Sequence, residues 1–228
     1  MPESAVSFYR RWIAANGWSE AAGLGTTFAL GRAAAPAIDQ ISGVPAVLTA
    51  AALAVLLGVL LEGALVGWAQ AGALRPRLPG LTGSSWIRAT MLGAGIAWLL
   101  GMVPSTVMSL QSSPGGAPPP QISSVATLVL AAGLGAVTGP VLGSAQWFVL
   151  RRHVPRAGHW LWANALAWAL GMPVLFAGMD LVPWSAAPWR VAVWLYLVTG
   201  VTGLLVGAVH GRVLLALTAA ARSDPAGG

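Results

Sequence analysis

The sequence predicts an all-α integral membrane protein with six transmembrane helices, arranged as three pseudo-repeated helical hairpins with both termini in the cytoplasm. Three observations lead to this prediction. Of the 228 residues, 57% are hydrophobic and only 8% are charged, whereas an average soluble domain carries about 25% charged residues. Arginines separate long apolar segments, and one glycine pattern recurs in every second segment. We therefore expect one transmembrane domain over residues 1–228, with repeats at about 8–80, 81–155 and 156–220.

Six apolar segments are near or above the roughly 20 residues that a helix needs to cross a bilayer core. They cover residues 8–31, 44–73, 86–109, 123–150, 160–179 and 189–217. The first segment is the most polar, because it contains Asn16 and Glu20. With Arg10 and Arg11 near its start, this segment also imitates a cleaved twin-arginine export signal. Its likeness to later segments favours a membrane span.

The arginines predict the orientation of the six spans. Ten of the 12 arginines lie near the start of the first span, around the second or fourth connection, or near the end of the last span. The other three connections hold only Arg32 and Arg190. Because short cytoplasmic loops are enriched in basic residues, both termini are expected in the cytoplasm. The third connection, "QSSPGGAPPPQISS", is uncharged and is expected to be a flexible extracytoplasmic loop.

A common pattern occupies the second, fourth and sixth spans. The stretches "EGALVGWAQAGAL", "TGPVLGSAQWFVL" and "TGLLVGAVHGRVL" each read acid or Thr, Gly, three residues, Gly, two residues, Gln or His, three residues, Leu. At about 100° per residue, these positions form one narrow stripe on each helix. The predicted helix-packing glycines are Gly63, Gly67, Gly139, Gly143, Gly203 and Gly207. The predicted polar ring consists of Gln70, Gln146, His210, Thr138 and Thr202.

Two interpretations of the stripes stay open. In lipid, small residues allow helices to approach closely, and a polar side chain can form a hydrogen bond across the contact. On this view Gln146 holds two helices together. Alternatively, Gln70, Gln146 and His210 converge and line a vestibule that faces the cytoplasm.

The first, third and fifth spans also share sequence features. "RWIAANGWSEAAG" matches "HWLWANALAWALG" in Trp, Ala, Asn and Gly, and "IAWLLGM" is similar to "LAWALGM". This comparison places Glu20 at the position of Trp98 and Trp168. A carboxylate has thus replaced an aromatic residue in the first hairpin.

Tryptophans cluster near the arginine-rich ends of the spans, as expected for an aromatic belt at the membrane interface. The predicted anchors at this interface are Trp12, Trp68, Trp86, Trp147, Trp160 and Trp162. Trp184 and Trp189 are expected at the opposite interface.

Glu20 and Glu62 are the strongest functional candidates. At ~1.5 Å per helical residue, Glu20 lies ~13 Å from Arg11 and Glu62 lies ~20 Å from Arg75, so both carboxylates are expected inside the membrane. Ionisable groups there usually face the bundle interior and mark a proton, ion or substrate path. Two other interpretations remain, which are a protonated acid bonded to a neighbouring carbonyl and a contact with a partner subunit.

Three function classes follow from these features. The favoured one is a small transport or channel-like protein that moves an ion or solute. The second is a structural or assembly subunit, in a larger complex or a homo-oligomer. An enzyme is third, because the three histidines, His153, His159 and His210, have no metal-binding spacing and cysteine is absent. No cofactor, metal or nucleic-acid partner is expected, since the arginines form no basic face.

A family resemblance rests on the fourth and fifth spans. "QWFVLRR", followed by "HWLWANALAWALG", resembles uncharacterised multipass membrane proteins of bacteria that carry Gly-x-x-Gln-Trp-x-Val-Leu-Arg-Arg repeats. The first hairpin matches less well, because "QAGALRPR" lacks the tryptophan and the double arginine. The resemblance implies a location in the bacterial inner membrane and implies no activity.

Overall fold

The computed structural model describes residues 3–111 and 123–223, with side chains as far as residue 220. Every regular element in these ranges is a helix. The α-helices are α1 (Ala5–Glu20), α2 (Thr26–Ile38), α3 (Val44–Leu57), α4 (Ala64–Leu74), α5 (Gly83–Gln111), α6 (Ser124–Leu150), α7 (His159–Asp180) and α8 (Pro188–Ser223). A π-helical turn, Ala21–Gly25, joins α1 to α2, and a second, Gly58–Gly63, joins α3 to α4. Most of the predicted third connection lies outside the described residues.

Five helices are long and apolar enough to cross a membrane. They are Val44–Leu74, Gly83–Gln111, Ser124–Leu150, His159–Asp180 and Pro188–Ala220. The prediction of an all-helical chain with several helices that are long and apolar enough to span a membrane is confirmed in the described part of the chain. The first predicted span is also helical, but it is not among the five. The six-span count and the cytoplasmic position of the termini therefore stay predictions.

The helices form a closed ring. α1 packs against α4 and α8, α5 packs against α4 and α6, and α7 packs against α6 and α8. The helix near the N-terminus is thus in contact with the helix at the C-terminal end. Without α1 the ring would be open between α4 and α8, so α1 is an integral part of the bundle.

Glycines allow the close approach of these helices. A Cβ atom on Gly67 would lie 2.9 Å from the Cα of Ile87, and one on Gly139 would lie 2.4 Å from the carbonyl oxygen of Asn164. A Cβ atom on Gly203 would lie 2.6 Å from the carbonyl oxygen of Asn16. Gly63, Gly143 and Gly207 are similarly crowded by α5, α7 and α1. All six predicted packing glycines therefore lie against a neighbouring helix of the same chain.

Candidate functional site

Three fully buried tryptophans lie at the centre of the ring. Trp12, Trp86 and Trp160 belong to α1, α5 and α7, and each has an exposed fraction of 0%. They recur at equal intervals of 74 residues. The ring centroids of Trp160 lie 6.1 Å from Trp12 and 6.2 Å from Trp86. We call these three residues the tryptophan triad.

Each indole of the triad donates a hydrogen bond to a polar side chain on a different hairpin. Trp86 Nε1 bonds Gln70 Oε1 at 3.1 Å, and Trp160 Nε1 bonds Gln146 Oε1 at 3.0 Å. Trp12 Nε1 bonds His210 Nδ1 at 3.0 Å. The second hairpin thus donates to the first, the third donates to the second, and the first donates to the third. The three bonds form a closed cycle around the bundle.

Hydrogen bonds also join several of the buried polar side chains directly to one another. Gln146 Nε2 donates to Gln70 Oε1 at 3.0 Å and to Thr90 Oγ1 at 2.9 Å. Gln70 Nε2 donates to Asn16 Oδ1 at 2.8 Å. His210 is connected to the layer through Trp12. The polar layer, as we use the term, consists of Asn16, Gln70, Thr90, Gln146, Asn164 and His210.

Two members of the predicted polar ring do not join this layer. Thr138 Oγ1 donates to the carbonyl oxygen of Leu134, and Thr202 Oγ1 donates to that of Val198, each at 2.9 Å within its own helix. Thr138 precedes Gln146 by eight residues, which corresponds to about 12 Å along a helix. The threonines therefore lie at a different depth from the glutamines.

The polar layer is closed and does not line an open vestibule. Gln70, Gln146 and His210 have exposed fractions of 3%, 0% and 2%. One turn further towards the arginine-rich end, a buried apolar cluster includes Leu74, Leu150, Leu214 and Phe8. The polar side chains of this layer are buried, and the glutamines are hydrogen-bonded to their neighbours. The geometry agrees with the interpretation in which these polar groups hold helices together.

The sequence does not predict the triad, because tryptophans near the ends of helices are expected at the membrane interface. That assignment suits Trp68 and Trp162, which are 60% and 77% exposed. It is wrong for the triad, whose members are buried. The useful signal was the residue four positions later, which bonds back to the tryptophan carbonyl in all three helices. These bonds are Asn16 Nδ2 to Trp12, Thr90 Oγ1 to Trp86 and Asn164 Nδ2 to Trp160.

Glu20 and Glu62 are brought together by the two π-helical turns. Glu20 directly precedes the first π-helical turn, and Glu62 lies within the second. The two turns are in contact, and a Cβ atom on Gly23 would lie 2.6 Å from the Cα of Glu62. Both side chains line the same small cavity. Since π-helical turns often occur at functional sites, their position here supports a site.

The two carboxyl groups have different partners. Glu62 Oε2 accepts a hydrogen bond of 2.7 Å from Trp98 Nε1. Glu20 Oε2 is buried and has no hydrogen-bond partner among the described residues. The exposed fractions of Glu20 and Glu62 are 3% and 7%. An unpaired, buried carboxyl oxygen is costly, and a proton, a water molecule or a cation would lower this cost.

Two cavities meet at Glu62. A central cavity of about 10 Å³ is lined by both carboxylates together with Asn16, Gln70 and His210, and its volume is close to the minimum of roughly 10 Å³ that one water molecule needs. A partly open cavity of about 240 Å³ is also lined by Glu62 and is mostly apolar. Among the described residues that line both cavities, Glu62 has the only ionisable side chain.

Neither a metal site nor a similarity to known proteins assigns a function to this chain. Among residues 3–111 and 123–223, no three His, Asp or Glu side chains are grouped so that they could hold a metal ion. No family model, curated protein or solved structure matches the chain. A function for this protein therefore rests on the geometry of its own site.

Proposed function

We propose that this protein is a small membrane transport protein, with Glu62 and Glu20 as its intramembrane proton or ion site. The observation that carries the proposal is the cavity of about 240 Å³ that reaches Glu62. A buried carboxylate at the end of an accessible cavity can exchange a proton or cation with the outside, whereas a sealed carboxylate cannot.

The pair of carboxyl groups provides a means of exchange. Because Glu20 and Glu62 are buried and line the same small cavity, ionisation of both side chains in a membrane interior is unfavourable, so one proton or cation is expected to be shared between them. The indole of Trp98 stabilises negative charge on Glu62. Glu20 has an unpaired oxygen and lines the central cavity together with Glu62. It is therefore placed to receive a proton or cation that Glu62 releases.

The polar layer acts as the closed gate in this proposal. It lies between both carboxylates and the arginine-rich end, while access to Glu62 is through the larger, partly open cavity. Transport then requires a second conformation in which the hydrogen bonds around Gln70 and Gln146 open. A barrier built from hydrogen bonds can open and close reversibly, because each bond contributes only about 0.6 kcal/mol on average inside a membrane protein.

The alternative of a structural or assembly subunit is less well supported by the packing. A subunit that recruits partners through its glycine stripes would present those glycines to the lipid. Here Gly67, Gly139 and Gly203 lie against helices of the same chain. A membrane-protein partner or a second copy of this chain would have to bind another surface.

The proposed topology has six spans in the bacterial inner membrane, with both termini in the cytoplasm. Cysteine labelling tests it without background, because the native chain has no cysteine. Ser185→Cys, in the connection between α7 and α8, should react with an impermeant maleimide in intact cells. Gly158→Cys, next to α7 at its other end, should react only after the membrane is opened. Labelling of Gly158→Cys in intact cells would refute this topology.

Glu62→Gln is expected to abolish flux in reconstituted vesicles while leaving the protein folded. Glutamine retains an oxygen that can accept the bond from Trp98, but it cannot release a proton. A pH-sensitive dye inside the vesicles reports proton flux, and a cation-sensitive dye reports cation flux. The matched control is Asp39→Asn, which removes an exposed carboxylate and should leave flux unchanged. Wild-type vesicles without flux of protons or cations would contradict the proposal and favour the subunit.

A further inference from the structure

The cavity of about 240 Å³ has an unusual combination of lining groups. Its walls are aliphatic and aromatic, with the rings of Phe28, Trp98, Trp168 and Phe176. Phe28 and Trp98 are arranged edge to face, with ring centroids 6.3 Å apart. Among the described residues that line this cavity, Glu62 has the only ionisable side chain. The cavity therefore presents apolar surface, aromatic faces and one negative charge to its occupant.

The lining chemistry argues against other classes of occupant. A divalent metal ion needs several oxygen ligands, usually six or more for calcium. The side chains of the described lining residues offer one carboxylate and the hydroxyl of Thr138, whose hydrogen is already donated to the carbonyl oxygen of Leu134. An anion would be repelled by Glu62. A neutral hydrocarbon would cover the carboxylate without compensating its charge.

We propose that this cavity binds a small alkylated ammonium ion, with Glu62 as the counter-charge and the aromatic rings around its alkyl groups. Aromatic rings attract cations through their negative faces, and they bind quaternary ammonium ions well. The inference rests on the proposed function, because it names the class of solute for the same carboxylate. The volume is below the roughly 300–1,000 Å³ of drug-sized sites, which favours an ion with one ring or a few short alkyl groups.

The carboxylate of Glu62 lies next to the aromatic side chains that would surround the alkyl groups. Trp98 donates to Glu62 and also lines the cavity, so the aromatic wall and the charge are held together by one bond of 2.7 Å. Trp168 lines both the larger and the central cavity. An ammonium ion beside Glu62 would therefore lie next to an indole as well.

Benzyltrimethylammonium is a suitable probe, and its neutral carbon isostere, 2,2-dimethylpropylbenzene, is the matched control. Calorimetric titration of the full chain in lipid nanodiscs measures binding of both, with empty nanodiscs as the blank. We expect the cation to bind and the neutral isostere to bind at least about tenfold more weakly. Equal binding of the two probes, or no binding of the cation, would overturn the proposal.

Variants locate the bound cation. Glu62→Gln should lower the affinity at least about tenfold, and Trp168→Leu should lower it about tenfold, while Trp168→Phe keeps an aromatic face and should stay within about threefold of wild type. Asp39→Asn should bind as wild type does. If Trp168→Leu fails to fold, Phe28→Leu replaces it. Unchanged affinity in Glu62→Gln would refute the site.

Binding and transport can fail independently. Cation binding that depends on Glu62, without flux in vesicles, would support the site and contradict the transport function. Proton flux that depends on Glu62, without binding of benzyltrimethylammonium, would support transport and overturn the assignment of the solute class.

Discussion

Gly139→Ala is expected to destabilise the bundle by about 3 kcal/mol or more, the upper range for overpacked cores. The new Cβ atom would lie 2.4 Å from the carbonyl oxygen and 2.8 Å from the carbonyl carbon of Asn164. Both are backbone atoms, so a change of side-chain rotamer cannot relieve the clash. Helices α6 and α7 would have to move apart, and the bond from Trp160 to Gln146 would be strained. Thermal unfolding in detergent measures the loss.

Gly133→Ala is the matched control on the same helix. Gly133 is exposed, and a Cβ atom there would have no neighbour within 4 Å. Its effect should be neutral or a gain of up to about 1 kcal/mol, because alanine favours helix more than glycine does. Similar melting temperatures for the two variants would contradict the proposed packing of α6 against α7.

Gln146→Leu should have the second-largest effect, a loss of about 2 to 3 kcal/mol in the free energy of unfolding. The change removes hydrogen bonds to Gln70, Thr90 and Trp160. It also leaves the buried indole N–H of Trp160 without its acceptor, which costs about 1–3 kcal/mol. Unfolding monitored by tryptophan fluorescence checks this value. Ser144→Ala is the control, because Ser144 bonds only its own helix at Val141, and it should change stability by less than about 0.5 kcal/mol.

A double-mutant cycle separates the bonds from other effects of the leucine. Trp160→Phe removes the orphaned donor, so Gln146→Leu should cost less in that background than in wild type. Additive losses in the double variant would show that the bond between these two side chains contributes nothing to stability.

Much of the helical pattern could be predicted from the sequence. The predicted spans 123–150 and 160–179 match α6 (Ser124–Leu150) and α7 (His159–Asp180) within one residue at each end. The glycine stripes could also be predicted, because spacings of three and four residues identify one face of a helix. Long apolar segments and small-residue periodicity are local properties, so they are visible without the fold.

The depth and register of individual side chains could not be predicted in the same way. A tryptophan near a helix end suits the membrane interface as well as a buried layer, and only the neighbouring helices decide between them. The sequence comparison also pairs Trp98 with Trp168 in a register that differs from the one in the structure. In the triad, Trp86 is equivalent to Trp12 and Trp160. The residues eight positions after these three tryptophans are Ala94, Glu20 and Trp168. Ala94, one turn before Trp98, is therefore the residue that corresponds to Glu20 and Trp168.

The π-helical turns were not predicted either. They shift the backbone hydrogen bonds from i−4 to i−5, and the residues Ala21–Gly25 and Gly58–Gly63 carry no proline that would mark such a shift. One turn lies in the first predicted span next to Glu20, and the other lies in the second predicted span and contains Glu62. The two turns are in contact with each other. Their position depends on contact between two helices, which a single segment of sequence does not reveal.

The closed cycle of indole hydrogen bonds has a consequence for how the chain is made. A growing chain enters the membrane from its N-terminus, so Trp86 and Trp160 meet acceptors that were synthesised before them. Trp12 is synthesised before these two residues, but its acceptor, His210, belongs to α8, which follows the other described helices in the chain. The indole N–H of Trp12 therefore has no acceptor until α8 has been inserted. A truncated chain would therefore keep one unpaired donor at its centre, and this defect distinguishes an unfinished bundle from a complete one.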